Sequence, residues 1–237
     1  MTRYDFCDII LYIKKKEVNL MSKSIYSLVL SDEVISQIDR IAYRKGVSRS
    51  ALIDTLLARE VSYTTPEMRI KEIFEHLGSG LNDEIFLPMP STGSAFAVRS
   101  ALDYKYNPSL RYSVELEREY GQDGRIGTLT VWLRSRSDTL IATLIDFFKL
   151  WSGIESRYRS GITYTVDRDR KIVRELALSL PVDPDLSYGM LGRSLSEYVS
   201  RLNTAVGIFF GSRAPEIKKE MIENECAKFY SSGSVLF

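Results

Sequence analysis

From Lys23 to Leu30 the chain alternates with period two. Tyr26, Leu28 and Leu30 fall on one side; Lys23, Ile25, Ser27 and Val29 fall on the other. That spacing predicts a strand. Immediately after it, Val34, Ile35, Ile38, Ile41 and Ala42 recur at helical spacing. Ser31 is placed to cap that helix, and Asp32 and Glu33 occupy its first turn, where the helix dipole favours anions. Arg44 and Lys45 suit the last turn, and Gly46 suits its end. A second helix follows from Ser48, with Ala51, Leu52, Leu56 and Val61 as its apolar stripe and Ile53 and Leu57 widening it. A chain of about 40 residues buries too little apolar surface to offset its ordering entropy. A strand with no partner strand nearby in sequence must therefore pair with another chain, and the simplest partner is a second copy related by a two-fold axis.

This segment resembles the ribbon-helix-helix DNA-binding family of the CopG, Arc and MetJ type. The residues that carry the resemblance are the alternating strand Ser24 to Leu30, the cap Ser31-Asp32-Glu33 and the junction Gly46-Val47-Ser48-Arg49-Ser50. The resemblance implies a homodimer or higher homo-oligomer whose paired strands enter the major groove of double-stranded DNA. It implies base contacts from Lys23, Ile25, Ser27 and Val29, and phosphate contacts at the second helix N-terminus from Ser48, Arg49 and Ser50. Ile25 and Val29 depart from the polar residues usual on that face. They can touch a thymine methyl but offer no hydrogen-bond readout. The rival reading packs them against the rest of the chain or another subunit. The implied function is a sequence-specific transcriptional regulator. The alternative is an antitoxin or plasmid-maintenance protein that binds a protein partner.

Beyond a linker at Ser62 to Pro66, the pattern predicts an α+β domain over 66–237. Met68, Ile70, Ile73, Phe74 and Leu77 read as a helix stopped by Gly78-Ser79-Gly80. Phe96, Val98, Leu102, Tyr104 and Tyr106 alternate like a strand, with a helix over Ala95–Leu102 as rival. Leu110, Tyr112, Val114 and Leu116 form a strand face; Gly121 to Gly124 turn the chain; Leu129, Val131 and Leu133 continue on a partner strand. A helix capped by Ser137 runs through Leu140 to Trp151, and Ile162, Tyr164 and Val166 suggest another strand. Ile172, Val173, Leu176, Ala177 and Leu180 suggest a short helix, with strand as the rival. Past Pro181 and Pro184, a helix over Leu191–Leu202, a short buried strand over Ala205–Phe210 and a terminal helix over Ala214–Tyr230 complete the expectation. The expected fold class is thus α+β: a ribbon-helix-helix module at 21–62, then a mixed domain with an antiparallel sheet.

Charge narrows the functional classes. The whole chain carries a formal net charge of +1, so attraction to nucleic acid must come from local patches. Over residues 21–60 six basic side chains face five acidic ones, which is weak for a DNA-binding module and predicts modest affinity per dimer. Residues 1 to 20 read as an upstream extension. They are a misassigned start or a flexible arm, with phosphate gripping by Lys14, Lys15 and Lys16 as the functional alternative. Two distant cysteines, Cys7 and Cys226, fit a reducing cytoplasm better than a disulfide framework. No run approaches a membrane span.

Candidate chemistry is sparse. A single histidine, His76, leaves little material for a metal cluster or a histidine-activated nucleophile. Phosphate-loop, dinucleotide and nucleophile-elbow motifs are missing, so no enzyme activity, catalytic residue, metal or cofactor is expected. Gly189 and Gly192 read as a loop. Arginines are dense between Arg99 and Arg174, which admits an anionic small-molecule effector. The rival is pairing with Glu115, Glu117, Glu119, Asp138, Asp167 and Asp169. Arg118 stands out because alternation puts it on the apolar face of its strand.

Overall fold

The computed structural model describes residues 27–105, 107–121, 123–167, 170–178 and 187–232. The expected extension at 1–20, the ribbon residues Lys23, Ser24, Ile25 and Tyr26, and Tyr106, Arg168, Asp169, Leu180, Pro181 and Pro184 lie outside them. The chain divides into two compact units between Leu56 and Leu57.

The first unit holds α1 (Asp32–Lys45) and most of α2 (Arg49–Glu60), whose last four residues fall past the division. Ser31 caps α1, its hydroxyl accepting from the Val34 amide at 3.4 Å. At the other end Gly46 takes a left-handed conformation (φ 63°, ψ 30°), which glycine adopts without steric cost. Its amide donates to Tyr43 O at 3.2 Å, and the Val47 amide donates to Ala42 O at 3.1 Å, so the last carbonyls are satisfied as the chain turns. The buried apolar set is Ile38, Ala42 and Leu52, with Ile41 and Ile53 packed against it.

The second unit is α+β. Its antiparallel sheet has six strands in the order β1-β2-β3-β4-β6-β5. These are β1 Leu87–Met89, β2 Ala95–Ala101, β3 Ser109–Leu116, β4 Arg125–Arg134, β5 Tyr164–Val166 and β6 Ile172–Ala177. β3 and β4 form the predicted hairpin, with Tyr112 opposite Val131 and Val114 opposite Leu129. Pro88 sits on the edge strand β1, the place in a sheet where a missing donor costs least. At the start of β4 the register slips between Arg125 and Gly127. A Cβ on Gly127 would lie 2.0 Å from Glu115 O, so only glycine fits this close backbone approach.

One sheet face is buried. It carries Val98, Leu110, Tyr112, Val114, Leu116, Leu129, Val131, Leu133, Ile172 and Leu176. The core joins that face to α3 (Pro66–Gly80), α4 (Asp138–Glu155), α5 (Tyr188–Phe210) and α6 (Pro215–Ser231). Apart from Ala97, the central strands leave the other face half-buried or exposed.

Several expectations need correction. Ala205–Phe210 is the last part of the long helix α5 and not a strand. Ala205, Val206, Ile208 and Phe210 are all buried there, and a helix covered on more than one side loses the one-sided pattern that would distinguish it. Ile172–Ala177 is a strand, the rival reading, and its alternate residues Ile172, Arg174 and Leu176 are buried. Gly78, Ser79 and Gly80 do not stop α3, which runs through them. Gly189 and Gly192 lie inside α5 and not in a loop. A Cβ on Gly192 would meet Ile73 O at 2.5 Å and His76 Cβ at 2.6 Å, and one on Gly80 would meet Ser196. These small residues let α3 and α5 approach closely. His76 packs at that crossing.

Candidate nucleic-acid interface

The junction between α1 and α2 brings together three of the expected contact residues. Ser48 precedes α2, and its hydroxyl accepts from the Ala51 amide at 3.2 Å. Ser50 Oγ lies 3.1 Å from Ser48 Oγ, so two hydroxyls cluster at the helix start. No acidic residue occupies the first turn of α2. The first amides of a helix have no intrahelical acceptor, and the dipole is positive at that end. Hydroxyls, amides and dipole together suit an oxygen anion such as a phosphate.

Arg49 carries a constraint that the sequence did not reveal. Its guanidinium grips Asp39 with two bonds, Nε to Oδ1 and Nη2 to Oδ2, each 2.6 Å. The hydrogen bond and charge of Arg49 hold the Asp39 carboxyl below the usual carboxylate range, and the same partnership raises Arg49. Both side chains are about half exposed, so solvent screens the pair. A phosphate reaching Arg49 must compete with Asp39.

Of the four expected base-contacting residues, Lys23 and Ile25 lie outside the described chain. Ser27 and Val29 are exposed, Val29 fully. Residues 27–30 carry no strand pairing. Leu28 and Leu30, expected on the covered side of the ribbon, are 59% and 40% exposed. Val34, Tyr43, Val47 and Leu56 are exposed as well. Every strand of the six-stranded sheet comes from residues 87–177, so among the described residues the sheet takes no strand from the N-terminal segment.

In the second unit, sequence reasoning missed a buried ionic cluster. Arg174 lies on the buried face of β6 and is 1% exposed. Its Nη2 meets Glu155 Oε1 at 3.2 Å and its Nη1 donates to Glu175 O at 3.1 Å. Its guanidinium also lies 4.6 Å from the Tyr198 ring centre. Tyr164 donates to Glu155 Oε2, and Tyr230 donates to Oε1 at 2.9 Å. Trp151 Nε1 donates to Tyr198 OH at 3.1 Å. Burial first, then the Glu155 charge, raises Tyr164 and Tyr230 well above an ordinary tyrosine. A shallow open cleft of about 470 Å³ lies beside the cluster, lined by Tyr158, Asn224, Ala227, Lys228, Tyr230 and Ser231. Lys228 is held by Glu225 at 2.7 Å. Tyr230 belongs both to the cluster and to the cleft lining. One signal pointed to the cluster: a charged residue between Ile172 and Leu176, visible once the segment is read as a strand.

Other arginines have found carboxylates too. Arg125 pairs with Glu117 and Glu175, each at 3.0 Å, Arg157 with Glu223 at 2.7 Å, and Arg170 with Asp138. Arg118 does not sit on an apolar strand face, because β3 ends at Leu116; it pairs with Glu67 at 3.6 Å. Among the described residues, no group of histidine, cysteine and carboxylate side chains could hold a metal ion, and no helix is long and apolar enough to cross a membrane.

No family model, curated protein or solved structure matches this chain. Any functional reading therefore rests on its own residues.

Proposed function

We propose that the chain is a sequence-specific DNA-binding regulator that acts as a dimer or higher oligomer. Residues 24–30 of two copies pair into an antiparallel ribbon that enters the major groove. Ser48, Ser50 and the α2 amides hold a flanking phosphate, and Arg49 joins them when it leaves Asp39. One observation carries this reading: a capped helix pair with four buried apolar residues, Ile38, Ala42, Leu52 and Ala58, beside a segment whose Leu28 and Leu30 stand open to solvent. A second copy supplies both the missing strand partner and the missing apolar cover.

The test is fluorescence anisotropy with labelled duplexes from the region upstream of the chain's own coding sequence, repeated across salt concentrations. Specific binding with a steep salt dependence is expected. Arg49→Ala weakens all sequences alike, whereas substitution of Ser27 changes sequence preference. Absence of salt-sensitive duplex binding at low salt contradicts the proposal.

A further inference from the structure

The unburied sheet face of the second unit has an ordered chemistry. Register places Leu87, Arg99, Arg111 and Trp132 in one row across β1, β2, β3 and β4. In the next row toward that end of the sheet, Arg134 stands opposite Ser109. The Arg111 guanidinium lies 5.9 Å from the Trp132 ring centre. Arg99 and Arg134 are exposed, and Trp132 is half-buried. Among the described residues, no carboxylate pairs with Arg99, Arg111 or Arg134, whereas Arg118, Arg125, Arg157, Arg170, Arg174 and Arg201 each have one. The Nε of Arg111 and the Oγ of Ser109 also lack a hydrogen-bond partner. The acids of this face, Glu115 and Glu175, sit toward the opposite end of the strands, and Glu175 is engaged by Arg125. Between them lie small or hydroxylated residues, Ala97, Ser113, Thr128 and Thr130, which leave the surface low.

We infer that this basic, aromatic end of the open sheet face binds single-stranded nucleic acid. Adjacent strands lie about 4.8 Å apart, so Arg99, Arg111 and Trp132 cover about 10 Å in a line. An unpaired base can stack on Trp132 while the arginines neutralise the phosphates on either side. A duplex hides its base faces, and a broad sheet does not enter a groove, so stacking on Trp132 selects an unpaired strand. DNA and RNA share the required chemistry of planar bases and a phosphate backbone. The inference does not depend on how the N-terminal helix pair acts.

The experiment uses the full chain with fluorescein-labelled dT20 and U20, read by anisotropy over a salt series and by tryptophan emission. Both oligonucleotides should bind at low salt, and preference for one identifies the natural sugar. Arg99→Glu combined with Arg134→Glu, at exposed positions that the fold tolerates, should weaken binding at least about tenfold. For every phosphate left without its arginine, the log–log salt slope should flatten by about 0.7. Trp132→Ala should weaken binding roughly 5- to 150-fold. Trp132→Phe should keep most of the affinity but abolish the binding-induced quench, since Trp151 is buried. Arg49→Ala should leave single-strand affinity unchanged, which separates this surface from the duplex site.

Three results would overturn the inference. One is no binding of either oligonucleotide at low salt, whatever the chain does with duplexes. Another is single-strand binding that survives the double arginine variant but disappears with Arg49→Ala. The third is a change of oligomeric state in the double variant with unchanged nucleic-acid affinity, which would make the face an interface between copies.

Discussion

The two units of this chain solve the burial problem differently. The second joins four helices to one face of a six-stranded sheet and buries aromatic side chains such as Trp151, Phe147, Tyr112 and Tyr198 almost completely. The first buries Ile38, Ala42 and Leu52, and leaves Leu28, Leu30, Val34 and Leu56 in solvent. Local signals are strong in both: serine caps precede α1, α2, α4 and α5. Capping contributes only about 1 kcal/mol per helix end, so it can set boundaries without holding a unit together. The contrast teaches that well-punctuated helices and a sufficient core are independent properties. On the proposed reading, a second copy supplies the cover that the described residues of the first unit do not.

The sharpest way to break this contrast is to damage the second unit. Glu155→Ala strands the buried guanidinium of Arg174 and removes the acceptor of Tyr164 and Tyr230. It should cost about 3–5 kcal/mol in denaturant unfolding. A cost below about 1 kcal/mol would mean that the cluster is far wetter than its burial indicates.

Alkaline pH offers a second test. Burial raises Tyr112, Tyr164, Tyr198 and Tyr230 above the ordinary value of 10.0, and Glu155 adds to this at the last three. A group whose pKa is raised by folding lends its full stability below its unfolded pKa and loses it as pH climbs toward the folded value. Stability should therefore fall above about pH 10, by up to ~1.4 kcal/mol per pH unit for each tyrosine that ionises only on unfolding. Phenolate absorbance that rises well before the fold is lost would contradict this.

Dilution separates the units. If a second copy completes the first unit, each tenfold dilution lowers its stability by about 1.4 kcal/mol. Hydrogen exchange of α1 and α2 amides should accelerate accordingly, while that of the β3–β4 hairpin stays constant. Concentration-independent protection in α1 would remove the need for a partner. The smallest effect is Asp39→Asn, which releases Arg49 and removes one negative charge. Duplex binding should tighten a few-fold with a steeper salt dependence. Weaker binding would mean that Asp39 positions Arg49 for its phosphate.

Much of this architecture was legible in the residues, for reasons that also explain the gaps. α1 and its left-handed Gly46 follow from short-range chemistry: Ser31, Asp32 and Glu33 at one end, Arg44 and Lys45 at the other. The β3–β4 hairpin follows from strict alternation around Gly121–Gly124. Short apolar runs failed, because Ala205–Phe210 is buried too evenly to reveal its period and Ile172–Ala177 is too short to choose between two. Gly189 and Gly192 misled because glycine serves a close helix crossing as readily as a loop. Arg174 stayed hidden behind the wrong period for its segment. The open-face row of Arg99, Arg111 and Trp132 needs strand register, which no single segment contains. Asp39 and Arg49 are ten residues apart on different helices, so their pairing needs the turn at Gly46.

Cysteine scanning across residues 24–30, with the parent chain as control, tests the pairing of two copies most directly. Paired residues in an antiparallel ribbon have Cα atoms about 4.5–5.5 Å apart, within disulfide reach. Mild oxidation should give a dimer crosslinked most completely at one position near Ser27, with yields falling on either side, and duplex DNA should protect that ribbon without dissociating it. Crosslinking no higher than the parent's at every position would contradict the paired ribbon and the DNA docking built on it.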